Sequence, residues 1–517
     1  MTGPGQPGHL LRVATAAVLG VTLLAGCTDD ATELAPPGEY KAPGKQSAVA
    51  DPTARDAVLG PAATPAPVDS PEQPNLLMIT MDDASLKDMQ FMPHLQELVA
   101  DTGVTLERGL APTPICVPAR ASLLTGQYSS NHGAVTVGGE GGGYAAFRDA
   151  DTLPVALQEA GYDTMLVGKY LNGYTAQEVH RQPPGWSVWR PTVDFSTYNF
   201  AHPEILVDGK IVKTDTYSTT LLSDHSNELI RSHADTDKPW YQWVNYVAPH
   251  HGGPKEDDDP EGLSTTVPED RDRDTFSDLD LDETPEMFEK DPSDKGLVSA
   301  TRRPASADRR AGLREVRQQR VESLQAVDRA IERTIETLRS TDQLDNTYVV
   351  VTSDNGFFVG EHNLYGKLWY FRDGLTIPMF ISGPGLPRGT TSAAPVTNAD
   401  WAPTFARLAG AELGREVDGV DVMPWIDSNA TRRVVPLSGY PVKGGLEPLY
   451  TGVSVGEWTY VRGRRGRGEM YNSRTDPHQL SNLYRDPRFT EQRKQLRKLW
   501  KESRECVGAA CPKEFME

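Results

Sequence analysis

Four short apolar runs recur along this chain, and each ends in a group able to carry charge. Asn75 to Thr80 runs into Met81, Asp82 and Asp83, and Asp163 to Gly168 runs into Lys169. Tyr241 to Val247 leads through Ala248 and Pro249 to His250. Thr347 to Thr352 leads through Ser353 to Asp354, Asn355 and Gly356. Runs of this length, bounded by polar or turn-forming residues, predict buried strands. Between them, Val316, Leu324, Val327, Ile331, Ile335 and Leu338 recur at roughly helical spacing and predict a helix over 315–339. Strands alternating with helices predict an α/β fold, a mainly parallel sheet flanked by helices. Ligands of such sheets lie beyond the carboxyl ends of the strands, where the groups just named would converge.

The ends of the chain follow other patterns. A short apolar run from Leu11 to Gly26 closes in small residues before an acidic stretch, which predicts a secretory signal over 1–26 rather than a membrane span. Leu24-Ala25-Gly26-Cys27 resembles a bacterial lipobox, in which the cysteine is lipidated and becomes the mature N-terminus; an ordinary cleaved signal is the alternative. The first reading places the protein outside the cytoplasmic membrane, touching it only through Cys27. Residues 27–74 are rich in Pro, Ala, Gly, Asp and Thr and predict a disordered tether. A main domain over 75–435 and a C-terminal subdomain over 436–517 are expected to follow. An acidic, proline-containing insertion at about 255–310 reads as a solvated loop, or as a rim that disfavours highly charged polyanions.

The formal charge of −20 argues against nucleic acid as a partner and against a polybasic membrane contact. Each strand-end group also has a plainer reading. Asp82 and Asp83 fit a helix start, Asp354-Asn355-Gly356 fits a turn, Lys169 and Lys367 fit the surface, and His250-His251 fits a polar loop. As a set, three carboxylates and an amide oxygen at two strand ends suit a hard divalent cation, and would repel one another without it. Of the four cysteines, Cys27 is accounted for by the lipid anchor, and Cys506 and Cys511 are close enough in sequence to pair in an exported protein. Cys116 is left alone, between prolines and four residues before Arg120.

The stretch Cys116-Val117-Pro118-Ala119-Arg120, continued by Ala121-Ser122-Leu123-Leu124-Thr125-Gly126, resembles the signature of the type I, formylglycine-dependent sulfatases of the alkaline phosphatase superfamily. GKYLNGY at 168–174, PWYQWVNYVAPH at 239–250, TSDNGFFVGEHNLYGK at 352–367 and MYNSRTDPHQLSNL at 470–483 follow in that family's order, most like its N-acetylglucosamine-6-sulfatase and arylsulfatase branch. The resemblance implies an alkaline-phosphatase-like core with a smaller C-terminal subdomain containing a short antiparallel sheet. It implies that a formylglycine-generating enzyme converts Cys116 to 3-oxoalanine, whose hydrate is the nucleophile acting on an aryl or carbohydrate sulfate. Asp82, Asp83, Asp354, Asn355 and the modified Cys116 would bind Ca²⁺ (or Mg²⁺). Arg120 would hold the hydrate, and Lys169, His250 and Lys367 would bind sulfate and protonate the leaving oxygen. Ala119 replaces a frequent serine, and Leu171 replaces a frequent histidine. The base that expels sulfate is therefore open between His132 and Asn172, while His362 reads as a turn residue. A phosphonate or phosphate ester hydrolase of the same superfamily, and a non-catalytic binding lipoprotein, are the rival classes.

Overall fold

A computed structural model describes residues 58–66, 68–174, 181–282, 284–298 and 305–517. The signal, Cys27 and the first part of the expected tether lie outside these residues. The main sheet contains β1 (Asn75–Met81), β2 (Val104–Leu106), β3 (Asp163–Gly168), β4 (Val188–Pro191), β5 (Trp240–Tyr246), β6 (Thr347–Ser353), β7 (Met379–Ser382) and β8 (Thr390–Ser392), in the order β8-β2-β7-β6-β1-β5-β3-β4. The four predicted runs are β1, β3, β5 and β6, adjacent and mutually parallel; β7 runs antiparallel to both its neighbours.

Every residue of β1, β5 and β6 is buried, as expected of strands covered on both faces. One face packs on α2 (Ser218–Ser232) and α3 (Ala307–Ser340) through residues such as Leu222, Ile230, Val327 and Ile331. The other packs on α1 (Cys116–Thr125) and α4 (Trp401–Ala409) through Val117, Leu124, Trp401 and Phe405. Register then aligns the strand ends: Met81 lies beside Tyr246 and Ser353, and Gly168 lies beside Asn245.

A second, antiparallel sheet follows, made of β9 (Arg432–Gly439), β10 (Tyr450–Val455), β11 (Trp458–Gly463), β12 (Gly468–Asn472) and β13 (Phe515–Met516). The basic helix α5 (Thr490–Ser503) packs on it through Leu496. Cys506 and Cys511 form a disulfide, and Cys116 is the free cysteine among the described residues.

Two expectations differ from what is observed. Within the expected tether, residues 58–66 are fastened to the C-terminal end of the chain. Ala63 N donates to Phe515 O (2.9 Å), Glu517 N donates to Pro61 O (3.0 Å), and Val58 is fully buried. The acidic insertion is not a free loop either. Leu263 packs with Leu313 and Val316 of α3 and with Phe357 and Val359, while Lys295, also buried, bonds Glu289 (2.6 Å). Composition misjudged both segments because a few apolar anchors and paired charges suffice to order a polar stretch against an existing surface.

Candidate active site

The aligned strand ends deliver the polar groups, and α1 brings Cys116 to them. This helix starts from extended Ile115 without a side-chain cap, so Cys116 occupies its first turn, and Gly126 ends it in the left-handed conformation (φ 68°). Arg120, four residues on, shares the face of Cys116. Gly356 follows Asn355 where a Cβ would stand 2.2 Å from the main-chain oxygen of Asp373, so this turn admits only glycine.

All nine residues anticipated from the sequence meet in one contact network. Cys116 Sγ lies 3.6 Å from Asp82 Oδ1 and 2.8 Å from Lys367 Nζ. Lys367 also donates to Asp83 Oδ1 (2.6 Å), which accepts from Asn355 Nδ2 (2.6 Å). Lys169 pairs with Asp82 Oδ2. Arg120 Nε donates to Asp354 Oδ2 (2.9 Å), and its Nη1 donates to Asn245 Oδ1 (3.0 Å) and to the Lys169 carbonyl (3.1 Å). His250 Nε2 stands 3.6 Å from Asp83 Oδ2. Asp82, Asp83, Arg120, Asp354 and Asn355 are fully buried.

Burial dominates the electrostatics. It pushes the Cys116 thiol above its ordinary range, although Lys169 and Lys367 pull the other way. It also pushes His250 well below the ordinary imidazole value, with nearby positive groups adding to the effect, so the ring is neutral at pH 7. Burial works against the charged forms of both Arg120 and Lys169, but Asp354 and Asp82 hold Arg120 above its ordinary value, and Asp82 with Cys116 does the same for Lys169. Asp354 is raised, first by burial and then by Asp82.

The residues fit a divalent cation. Asp82, Asp83 and Asp354 offer oxygens within 4.8 Å of one another. Asp83 Oδ2 and Asn355 Oδ1 are buried without a hydrogen-bond partner among the described residues, which is costly unless a cation completes them. Three carboxylates face three cationic side chains, Arg120, Lys169 and Lys367. A divalent ion added to that balance leaves a positive excess suited to an anionic ester.

Other neighbours were not anticipated. Tyr198 stacks on His250 (ring centroids 4.5 Å apart), lies under Lys169 Nζ (5.1 Å) and accepts from Asn172 Nδ2 (2.9 Å). Asn245 and Arg320 were missed as well; Asn245 shares its strand with another buried polar residue, Gln242, so polarity alone did not single it out. His132 instead bonds Pro118 O (3.1 Å) and Ser122 Oγ (3.3 Å), and His362 bonds Glu289 (2.9 Å) at a left-handed position (φ 52°).

The family model described as Sulfatase matches residues 74–411, and that described as N-sulphoglucosamine sulphohydrolase, C-terminal, matches 360–505. An arylsulfatase of Volvox carteri is 29% identical over 497 residues, covering 85% of this chain and 76% of its own length. The N-acetylglucosamine-6-sulfatase of Homo sapiens is 27% identical over 391 residues, covering 72% and 68%. Among solved structures, a protein in complex with its substrate D-glucosamine-2-N,6-O-disulfate superposes with a TM-score of 0.68 at 21% identity, covering 83% of this chain and 97% of the other. A phosphonate monoester hydrolase from Silicibacter pomeroyi superposes with a TM-score of 0.60 at 21% identity, covering 82% and 94%. At these identities the two structures bear on the fold alone.

Proposed function

This chain belongs to the sulfatase family and is a sulfuric ester hydrolase, and from that premise we propose that it cleaves aryl or carbohydrate sulfate monoesters with a nucleophile made from Cys116. The observation that carries this reading is the convergence of Cys116 Sγ on Lys367, at 2.8 Å, and on the edge of a carboxylate cluster that fits a cation.

Asp82, Asp83, Asp354 and Asn355 would hold the cation, Ca²⁺ by the hardness of its ligands or Mg²⁺ in its place. Bound there, it supplies charge stabilisation to the ester oxygens as they become more negative. Cys116, as the hydrated aldehyde, supplies one hydroxyl for attack on sulfur and a second whose deprotonation releases sulfate. Arg120, anchored on Asp354, keeps that side chain oriented. Lys169 and Lys367 bind the sulfate oxygens, displacing their present contacts with Asp82 and Asp83. The proton reaching the leaving oxygen comes from the Lys367 ammonium, while His250, being neutral, lines the pocket beside it without an acidic proton to give. Asn172, bonded to Tyr198, stays near the pocket, whereas His132 is engaged elsewhere and drops out as the base.

The sequence supports export by a leader over 1–26 and attachment through Cys27. It supports maturation by a formylglycine-generating enzyme, and a main domain over 75–435 with a C-terminal subdomain over 436–517, although β9 (Arg432–Gly439) of the second sheet crosses that boundary. Among the described residues no helix is long and apolar enough to cross a membrane.

Proteolysis of protein from its native host releases the peptide Gly109 to Arg120, and its mass tests the nucleophile. An aldehyde in place of the thiol is expected; an unmodified thiol throughout would sink the mechanism. Because a phosphonate monoester hydrolase shares the fold, matched aryl sulfate and aryl phosphate should be compared as substrates. Faster turnover of the sulfate is expected, and the reverse order would favour the phosphoryl reading.

A further inference from the structure

Two parts of the site have a support besides the strand ends, where Asp83 N already donates to Asp354 Oδ1 (3.1 Å). Asp83 has a left-handed backbone (φ 67°), which is uncommon for a non-glycine residue although aspartate tolerates it better than most. His250 lies beyond the end of β5, in the loop that follows Pro249. Both lead to Arg320 on α3. Its Nη2 donates to the main-chain oxygen of Asp83 (2.5 Å), and its Nη1 to that of Pro249 (3.2 Å). The guanidinium lies over the ring of Phe357, 4.3 Å from the centroid and two residues past Asn355. Asp88 Oδ2, at 3.6 Å, supplies the counter-charge.

Arg320 is 3% exposed, on a part of α3 where buried Val316, Val321 and Leu324 alternate with buried Arg317, Gln319 and Glu322. A buried guanidinium in that setting is expensive and adds little to packing that an apolar side chain would not. What it adds is geometry: a rigid planar fork can bond two carbonyls at once, whereas an ammonium is a point charge on a flexible stem. We propose that Arg320 is a positioning residue that fixes the backbone of the cation ligand Asp83 and of the loop bearing His250, seated on the segment that carries Asn355. This rests on reading the carboxylate pocket as a cation site and His250 as a substrate-facing group.

The test uses the full chain with Cys116 converted. Arg320→Lys keeps the charge without the fork; Arg320→Met combined with Asp88→Asn removes both buried charges so that the fold survives. The calcium concentration that half-saturates thermal stabilisation, measured without substrate, is expected to rise about 10-fold or more, and kcat on an aryl sulfate to fall roughly 10- to 100-fold. KM should stay within about threefold, as for a defect in aligning the transition state. Arg320→Lys should fall between the wild type and the double variant. Millimolar guanidinium should restore part of the turnover of Arg320→Ala.

A folded double variant with wild-type kcat and calcium dependence would overturn the proposal. So would a loss of turnover that matches the loss of folded protein and that neither lysine nor guanidinium relieves. A wild type with no calcium-induced stabilisation would count against the cation reading alone; kcat and guanidinium rescue would then decide for Arg320.

Discussion

Cys116 occupies a position in which a thiol has little chemistry available. Burial holds its proton, and its sulfur lies 2.8 Å from Lys367 Nζ and 3.6 Å from Asp82 Oδ1. Cys116→Ala should therefore lower aryl sulfate turnover by ~10⁴-fold or more, the scale of losing a nucleophile. It should change the unfolding free energy by only about 1 kcal/mol, checked by denaturant titration. Asp354→Asn should act differently, because Asp354 ties Arg120 to the cation pocket. Calcium affinity, read by thermal shift, is expected to fall roughly 10²-fold as the ligand charge drops, and turnover with it. The nine site residues were legible because most of them close an apolar run or sit in a family motif. Tyr198, Asn245 and Arg320 were not, since their importance lies in contacts to residues far along the chain, and spacing carries no record of those.

Helix α3 shows where periodicity stops being a guide. Its apolar spacing reveals the stretch from Glu315 onward, but the helix starts at Ala307, capped by Ser306 Oγ accepting from Arg309 N (3.2 Å). Its first turns are too rich in arginine to display a face. The acidic insertion hid its order for a related reason, since some of its charges, such as Asp272 and Glu289, are paired and buried although others stay exposed. Glu289, 7% exposed, bonds Lys295 and His362, and burial working against Lys295 pushes its carboxyl up to about 7. The folded state thus binds the proton more tightly than the unfolded one. The resulting stability is full below the ordinary glutamate value of 4.5 and is lost as the pH rises through about 7. Glu289→Gln should flatten that decline in a series of unfolding midpoints across the window. An unchanged slope would place the pH dependence elsewhere.

For the whole molecule, the mainly parallel character of the first sheet follows from the alternating runs and the second sheet from the family resemblance, whereas the order of the strands and the fastening of residues 58–66 do not. The pairing of residues 58–66 with β13 is a backbone contact between segments more than 440 positions apart in composition-poor sequence, and no side-chain pattern announces it. If Cys27 is the attachment point, Cys27→Ser should move activity from the membrane fraction to the soluble fraction with kcat unchanged, measured by fractionating the native host. The fastening of residues 58–66 then acquires a mechanical meaning. Besides the bonds to β13, Ala66 N donates to Pro424 O (2.7 Å) and Thr64 N to Asn429 Oδ1 (3.0 Å), so a pull from the leader side is borne first by this seam. β1 begins only at Asn75 and carries Asp82 and Asp83 at its far end. The seam would then work as strain relief on a cable: tension on the leash is spent at the edge of the second sheet before it can tug on Asp82 and Asp83, the proposed cation ligands.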